Sequence, residues 1–321
     1  MKHPPAAIRI GISSCLLGER VRFDGNHKHD PYITETLGRY FEFVPVCPEL
    51  AIGLGVPRAP IRLVGDPAAP RAVGVRDPSV DVTGKLAAHG RRMARALGGA
   101  AGISGYILKG KSPSCGMERV KVYRAGGGAP KGGSGIYARA LLDAAPLLPV
   151  EEEGRLGDPW LRESFVERVF AYRRWQELIA AGLSAARLVE FHTVHKLVIM
   201  AHGAEHYRAL GRLVADLGRA NLRPRADRYI AGFMAALKAR ATRKRHANVL
   251  MHVLGYLKRD IDGDDKAELL ALIDAYRLGR LPRAVPVALL KHHFRRHPDA
   301  YIERQVYLNP HPAELMLRDG A

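Results

Sequence analysis

The chain has little cysteine, and what it has is dispersed: three residues in 321, at positions 15, 47 and 115, separated by 32 and then 68 positions. That spacing excludes the local C-x-x-C pairs of zinc ribbons and bacterial ferredoxins. An odd number cannot all pair internally, so the expected state is free thiol or metal ligand in a reducing compartment. Long apolar runs are missing too; none approaches the ~20 residues that span a bilayer. The amino end passes from Met-Lys-His-Pro-Pro into a strand pattern without a secretory apolar region, so we expect a cytoplasmic protein with no membrane partner. Acidic residues are in short supply, 32 Asp and Glu against 50 Lys and Arg, and the resulting +18 points to a polyanion such as nucleic acid. A general taste for arginine produces the same surplus, and both readings stand at this stage. No obligate protein partner is evident.

What is present divides into two kinds of pattern. Residues 8 to about 148 alternate short apolar runs with helical segments: strands at 8–14, 41–46, 103–108 and 147–150, helices around 31–40, 84–98 and 135–144, and a hairpin of Ile61–Val64 with Arg71–Val75. Gly126-Gly127-Gly128 and Gly132-Gly133 read as a mobile loop. Strands separated by helices predict an α/β domain with a mostly parallel, Rossmann-like sheet. From Asp158 onward every segment shows helical spacing, with Gly182-Leu183-Ser184 and Gly263-Asp264-Asp265 as stops followed by caps. The expected organisation is therefore an α/β domain over 1–152 and an all-α domain over 153–321.

Each cysteine ends one of the apolar runs. Cys15 follows Ile8–Ile12, Cys47 follows Phe41–Val46, and Cys115 lies in Gly110-Lys111-Ser112-Pro113-Ser114-Cys115-Gly116, just past Ile103–Leu108. Ligands of open α/β sheets bind beyond the carboxyl ends of strands, so three thiols reach one rim. A buried packing cysteine has no need of neighbouring Gly, Pro and Ser, whereas thiolates with backbone amides nearby suit iron–sulfur or zinc ligation. Small buried hydrophobes remain the alternative. Gly105 to Ser112 matches the letters of a phosphate-binding loop, but Tyr106, Ile107 and Leu108 are strand residues, so nucleotide hydrolysis is not expected and only a loose phosphate contact by Lys109 or Lys111 is.

These segments, with Val21-Arg22-Phe23-Asp24-Gly25, Pro57-Arg58-Ala59-Pro60 and Asp81-Val82-Thr83, closely resemble the thiouracil/thiouridine desulfidase family over roughly the first 150 residues. The helical half, through Phe191-His192, Lys196, Tyr207, Arg245 to His252, Gly255-Tyr256 and Gln305 to Pro310, looks like the uncharacterised domain fused to this family in its two-domain members. The resemblance implies a 4Fe–4S cluster held by Cys15, Cys47 and Cys115, with one iron left open for the sulfur of a thiocarbonyl. It further implies Glu49 as general acid/base and Ser112 as substrate contact. Asp24 is a candidate to orient water, and Ser14, Ser114 and Lys111 are candidate substrate contacts. Phe23 stands where this motif commonly has a tyrosine, which leaves a hydroxyl role there open. Arg243, Lys244 and Arg245, with the run Lys291 to Arg296, are the candidate RNA-binding residues of the helical half. The function implied is non-redox removal of sulfur from 4-thiouridine in tRNA. Free thiouracil or 4-thiouridine monophosphate is the alternative substrate, and a non-catalytic iron–sulfur sensor that binds nucleic acid is the alternative class.

Overall fold

The computed structural model describes residues 7–99, 102–124, 128–129, 131–217, 222–312 and 315, with the side chain of residue 131 excepted. The chain divides into two compact units, Met1–Phe165 and Val166–Ala321.

The first unit is built on strands β1 (Ile8–Ser13), β2 (Phe41–Val46), β5 (Gly105–Leu108) and β8 (Val150–Glu152), paired in the order β2-β1-β5-β8 and parallel throughout. Ile10, Ile12, Tyr106, Ile107 and Leu108 are fully buried, because strands covered on both faces carry continuous apolar runs. Each such side chain contributes about 1.5–3 kcal/mol of burial. Cover comes from α2 (Thr83–Ala96), which packs on α3 (Ile136–Ala144); a four-residue helix, α1 (Pro48–Ala51), follows β2. The chain runs from β1 to β2 on one side and to β5 on the other. The order therefore reverses at β1, beside the crevice where doubly wound folds bind ligands.

The sequence pattern does not anticipate a second sheet. The expected hairpin forms as β3 (Ile61–Asp66) and β4 (Ala69–Gly74), but β3 also pairs in parallel with β6 (Val120–Tyr123), which pairs with β7 (Lys131–Gly133). Gly132 and Gly133 thus lie in a strand and not in the predicted mobile loop, whose Gly126 and Gly127 fall outside the described residues. The predicted helix at 31–40 is a π turn, Tyr32–Thr36, followed by a 3-10 turn, Leu37–Arg39. Thr34 and Thr36 are poor helix formers, and the Thr34 hydroxyl donates back to the Asp30 carbonyl at 3.3 Å.

The second unit is helical: α4 (Pro159–Ala180, most of whose length falls here), α5 (Ala185–His202), α6 (Ala204–Ala215), α7 (Leu222–Lys238), α8 (Arg243–Leu254), α9 (Gly263–Arg277), α10 (Ala284–Arg296) and α11 (Ala300–Glu303). Side-chain oxygens of Ser184, Thr242 and Asp262 accept from amides of the first turns of α5, α8 and α9, which fixes those starts. The core is aromatic, with Trp175, Phe191, Tyr229 and Phe233 at ring separations of 5.2–6.3 Å. Among the described residues no helix is long and apolar enough to cross a membrane.

Candidate active site

Three loops leave the carboxyl edge of the parallel sheet and close around one cavity of about 330 Å³, within the range of small-molecule sites. After β1 the chain turns through Ser14–Leu17, which carries Cys15, and Gly18 closes the turn in the left-handed region. After β2, Cys47 caps α1, its carbonyl accepting the Ala51 amide at 3.0 Å, while its thiol donates to the Val21 carbonyl at 3.8 Å. After β5 comes a loop folded on itself: the Ser112 hydroxyl oxygen accepts from the amides of Ser114 and Cys115, both at 3.2 Å, and the Ser112 carbonyl accepts the Gly116 amide at 2.9 Å. All three cysteines are free, and all three line the cavity.

Burial pushes the Cys15 thiol up to about 11, against the opposing charges of Arg22 and Lys109. Burial likewise raises Cys47, opposed by the Leu50 amide, and raises Cys115 well above the usual thiol, with the Glu49 charge adding to it. Three sequestered sulfurs of this kind stay protonated until a cation replaces their protons.

Glu49, in the first turn of α1, faces the same cavity and is firmly held. Arg58 reaches its Oε2 with Nε at 2.8 Å and a terminal nitrogen at 2.7 Å, and the Ser114 hydroxyl donates to Oε1 at 2.8 Å. Ser14, Ser112 and Lys111 stand in the cavity wall, whereas Ser114 is fully buried behind it and touches Glu49. Asp24 lies outside the wall in an exposed turn, where its carboxylate accepts the Asn26 amide at 3.2 Å and pairs with Arg22 at 3.6 Å. Phe23 does line the cavity. The phosphate-loop match is a strand, since Gly105–Leu108 is β5.

Several contributors are not marked as site residues by the sequence pattern. Ser13, last in β1, accepts the Lys109 amide at 2.9 Å and bonds Cys115. Arg58, within Pro57-Arg58-Ala59-Pro60, lies nine residues beyond Glu49, and Glu152 and Glu153 bond the cysteine loop from the end of the neighbouring strand. Strand alternation points Ser13 to the rim, but nothing local marks Glu152 or Glu153.

In the helical unit, Arg243 and Lys244 are exposed at the start of α8, while Arg245 donates to the carbonyls of His202 at 2.9 Å and Arg240 at 3.2 Å. The buried histidines His192, His202 and His246 are network residues. His192 bonds Tyr229, His202 bonds Glu167, and His246 bonds Tyr307. Among the described residues no three His, Cys, Asp or Glu side chains gather about a single metal ion.

A doubly wound sheet with a thiol-lined cavity at its strand-order reversal defines a ligand-binding α/β protein with a candidate thiolate centre. A sequence model of the 2-thiouracil desulfurase family matches residues 10–153, and one for a protein of unknown function (DUF1722) matches residues 196–312. The chain is 36% identical over 157 residues to the uncharacterized protein YbgA of Escherichia coli (strain K12), covering 49% of this chain and 93% of that one. It is 32% identical over 149 residues to the uncharacterized protein YbbK of Bacillus subtilis (strain 168), covering 45% and 96%. Among solved structures, the 4Fe–4S-dependent thiouracil desulfidase TudS is 32% identical over 47% of this chain and 94% of its own, with a TM-score of 0.38. The chain belongs to the thiouracil desulfidase family, in a two-domain arrangement.

Proposed function

We propose that this protein converts 4-thiouridine in tRNA to uridine and sulfide, using a 4Fe–4S cluster held by Cys15, Cys47 and Cys115. The observation that carries the reading is the convergence of three free thiols, two buried and one half-buried, and a fixed carboxylate on one cavity. The donor set fits. Thiolates are the ligands iron–sulfur clusters use, and a cluster binds each cysteine at a separate iron, so its ligands need not meet at one point as those of a single ion must. When bound, the cluster supplies a soft Lewis-acidic iron suited to thione sulfur.

The chain's own groups supply the rest. Overall, water adds its oxygen to the ring carbon, the C–S bond breaks, and hydrogen sulfide leaves, with no electron acceptor required. Glu49 lies at the cavity with one oxygen held by Arg58 and the other by Ser114, so its remaining lone pairs are fixed in direction. It takes a proton from the attacking water at its carboxylate and returns it to the departing sulfur. Ser112 and Ser14 offer hydroxyls to the pyrimidine edge.

Charge supports a phosphate-bearing substrate. Arg22, Lys28, Lys109 and Lys111 line the cavity. The second unit holds 27 Lys and Arg against 16 Asp and Glu, most of the chain's surplus. A second reading, desulfuration of free thiouracil or its nucleotide, is favoured by the match of residues 10–153 to the 2-thiouracil desulfurase family. The separating experiment incubates reconstituted protein with thiolated tRNA, 4-thiouridine monophosphate and 4-thiouracil. Loss of the 4-thiouridine absorbance from tRNA supports the proposal, while turnover confined to the small substrates rejects it.

A further inference from the structure

The loop that carries Cys115 is held at both ends by two consecutive carboxylates that the reaction does not use. Strand β8 lies parallel to β5 with Leu108 opposite Glu152, so Glu152 and Glu153 emerge beside the point where the loop departs. Glu153 accepts the Gly110 amide at 2.6 Å with Oε2 and pairs with the Lys109 ammonium through Oε1. Glu152 accepts the Met117 amide at 2.7 Å and the Glu118 amide at 3.4 Å, at the other end. Gly110 sits against both: a Cβ there would lie 3.1 Å from Glu152 Oε2 and 3.4 Å from Glu153 Oε2. A Cβ at 110 would press on both carboxylates, which would have to give by a few tenths of an ångström.

We propose that Glu152 and Glu153 are positioning residues that clamp the two ends of the 109–118 loop and thereby set where the Cys115 sulfur stands. The clamp is anionic because a carboxylate accepts several amides at once, and charge-assisted bonds are about twice as strong as neutral ones. The bonds around Ser112 shape the tip of the loop, and its middle is tied to the start of α3, where the Gly135, Ile136 and Ala138 amides donate to the carbonyls of Gly116, Pro113 and Ser114 at 2.7, 3.0 and 3.1 Å; the two carboxylates, with the Ser13 hydroxyl at the Lys109 amide, fix its two ends on the sheet. The consequence for iron retention rests on the proposal that Cys115 is a cluster ligand; the clamp itself does not.

The test is amide hydrogen exchange by mass spectrometry on the full-length apoprotein, comparing wild type with Glu152→Ala, Glu153→Ala and Glu152→Gln. Loss of amide bonds to a charged acceptor speeds exchange of the 110–118 segment about tenfold or more in the alanine variants. The Gln variant, which keeps one acceptor oxygen, falls between them and wild type. Strand β1 keeps its wild-type protection throughout. Reconstituted alanine variants also release iron to a chelator faster than wild type. Loop exchange at the wild-type rate in both alanine variants overturns the proposal, as does equal loosening of β1, which marks general destabilisation. If an alanine variant does not fold, Glu152→Gln and Glu153→Gln decide by the same readout. A wild-type protein that takes up no iron, with a loop that still loosens, rejects the cluster and leaves the clamp standing.

Discussion

Arg58 is the support on which the role of Glu49 depends, and removing it has a calculable cost. The Arg58 side chain is 6% exposed and that of Glu49 15%. Arg58→Ala deletes two charge-assisted bonds to the carboxylate and one to the Gly55 carbonyl at 2.7 Å. Breaking a fully buried pair costs about 3–5 kcal/mol. Glu49 faces a cavity that water can enter, so about 2–3 kcal/mol is the better expectation here. For a unit of this size that corresponds to a fall in Tm of about 4–12 °C. Thermal unfolding of wild type, Arg58→Ala, Glu49→Gln and the double variant forms a cycle, and the coupling should exceed about 1 kcal/mol. Activity should show the same dependence: Arg58→Ala lowers kcat far more than it changes KM, since it frees the proton-transferring group without removing it. Additivity of the two single changes within about 0.5 kcal/mol refutes the pairing.

Other consequences follow from particular contacts. Gly90→Ala places a Cβ 2.6 Å from the Tyr137 carbonyl and 2.9 Å from Ala140 Cβ, between α2 and α3, and should cost about 1–3 kcal/mol in chemical denaturation; an unchanged midpoint contradicts that packing. In the helical unit, burial would raise Glu167, but the His202 charge and hydrogen bond bring it down to about 2, while burial would lower His202 and Glu167 raises it above the ordinary imidazole. A lowered carboxyl stabilises above about pH 4.5 and a raised histidine below about pH 6.5, so the pair is worth most between them. The stability gap between wild type and His202→Gln should therefore be widest there. It should shrink as pH rises through the folded His202 value and as pH falls toward 2, and a pH-independent gap contradicts the assignment. Buried His192 and His195, lowered by burial to about 4 and about 3, act oppositely, and the comparison with the variant cancels them. Arg243→Ala and Lys244→Ala should each reduce the salt slope of tRNA binding by about one. Arg245→Ala should instead lower the stability of the unit, because its guanidinium holds two carbonyls.

The parts that sequence pattern revealed are those governed by near neighbours. Continuous apolar runs gave β1, β2 and β5, and each cysteine's position at a run's end put it on the correct rim. The stop and cap read at Gly182-Leu183-Ser184 marked the start of α5, where the Ser184 side chain accepts the Arg187 amide. Of the small sheet only the local hairpin β3–β4 was legible; β6 is short and joins β3 only in space, and the glycines of β7 suggest freedom when considered alone. The holding of the site was least legible. Glu49 meets Ser114 across 65 positions and Glu153 meets Lys109 across 44, and no local period records such pairs. A serine next to a candidate ligand naturally suggests a substrate contact, yet Ser114 turns inward to the acid, a choice set by the tertiary fold.

The most direct measurement is the iron and acid-labile sulfide content of anaerobically reconstituted protein, alongside Cys15→Ser, Cys47→Ser and Cys115→Ser. The account predicts iron and sulfide in equal amounts in wild type, with thiolate-to-iron absorption, and loss of both from every single variant while the helical unit keeps its unfolding temperature. Full iron binding in any one of the three variants, or none in wild type, contradicts it.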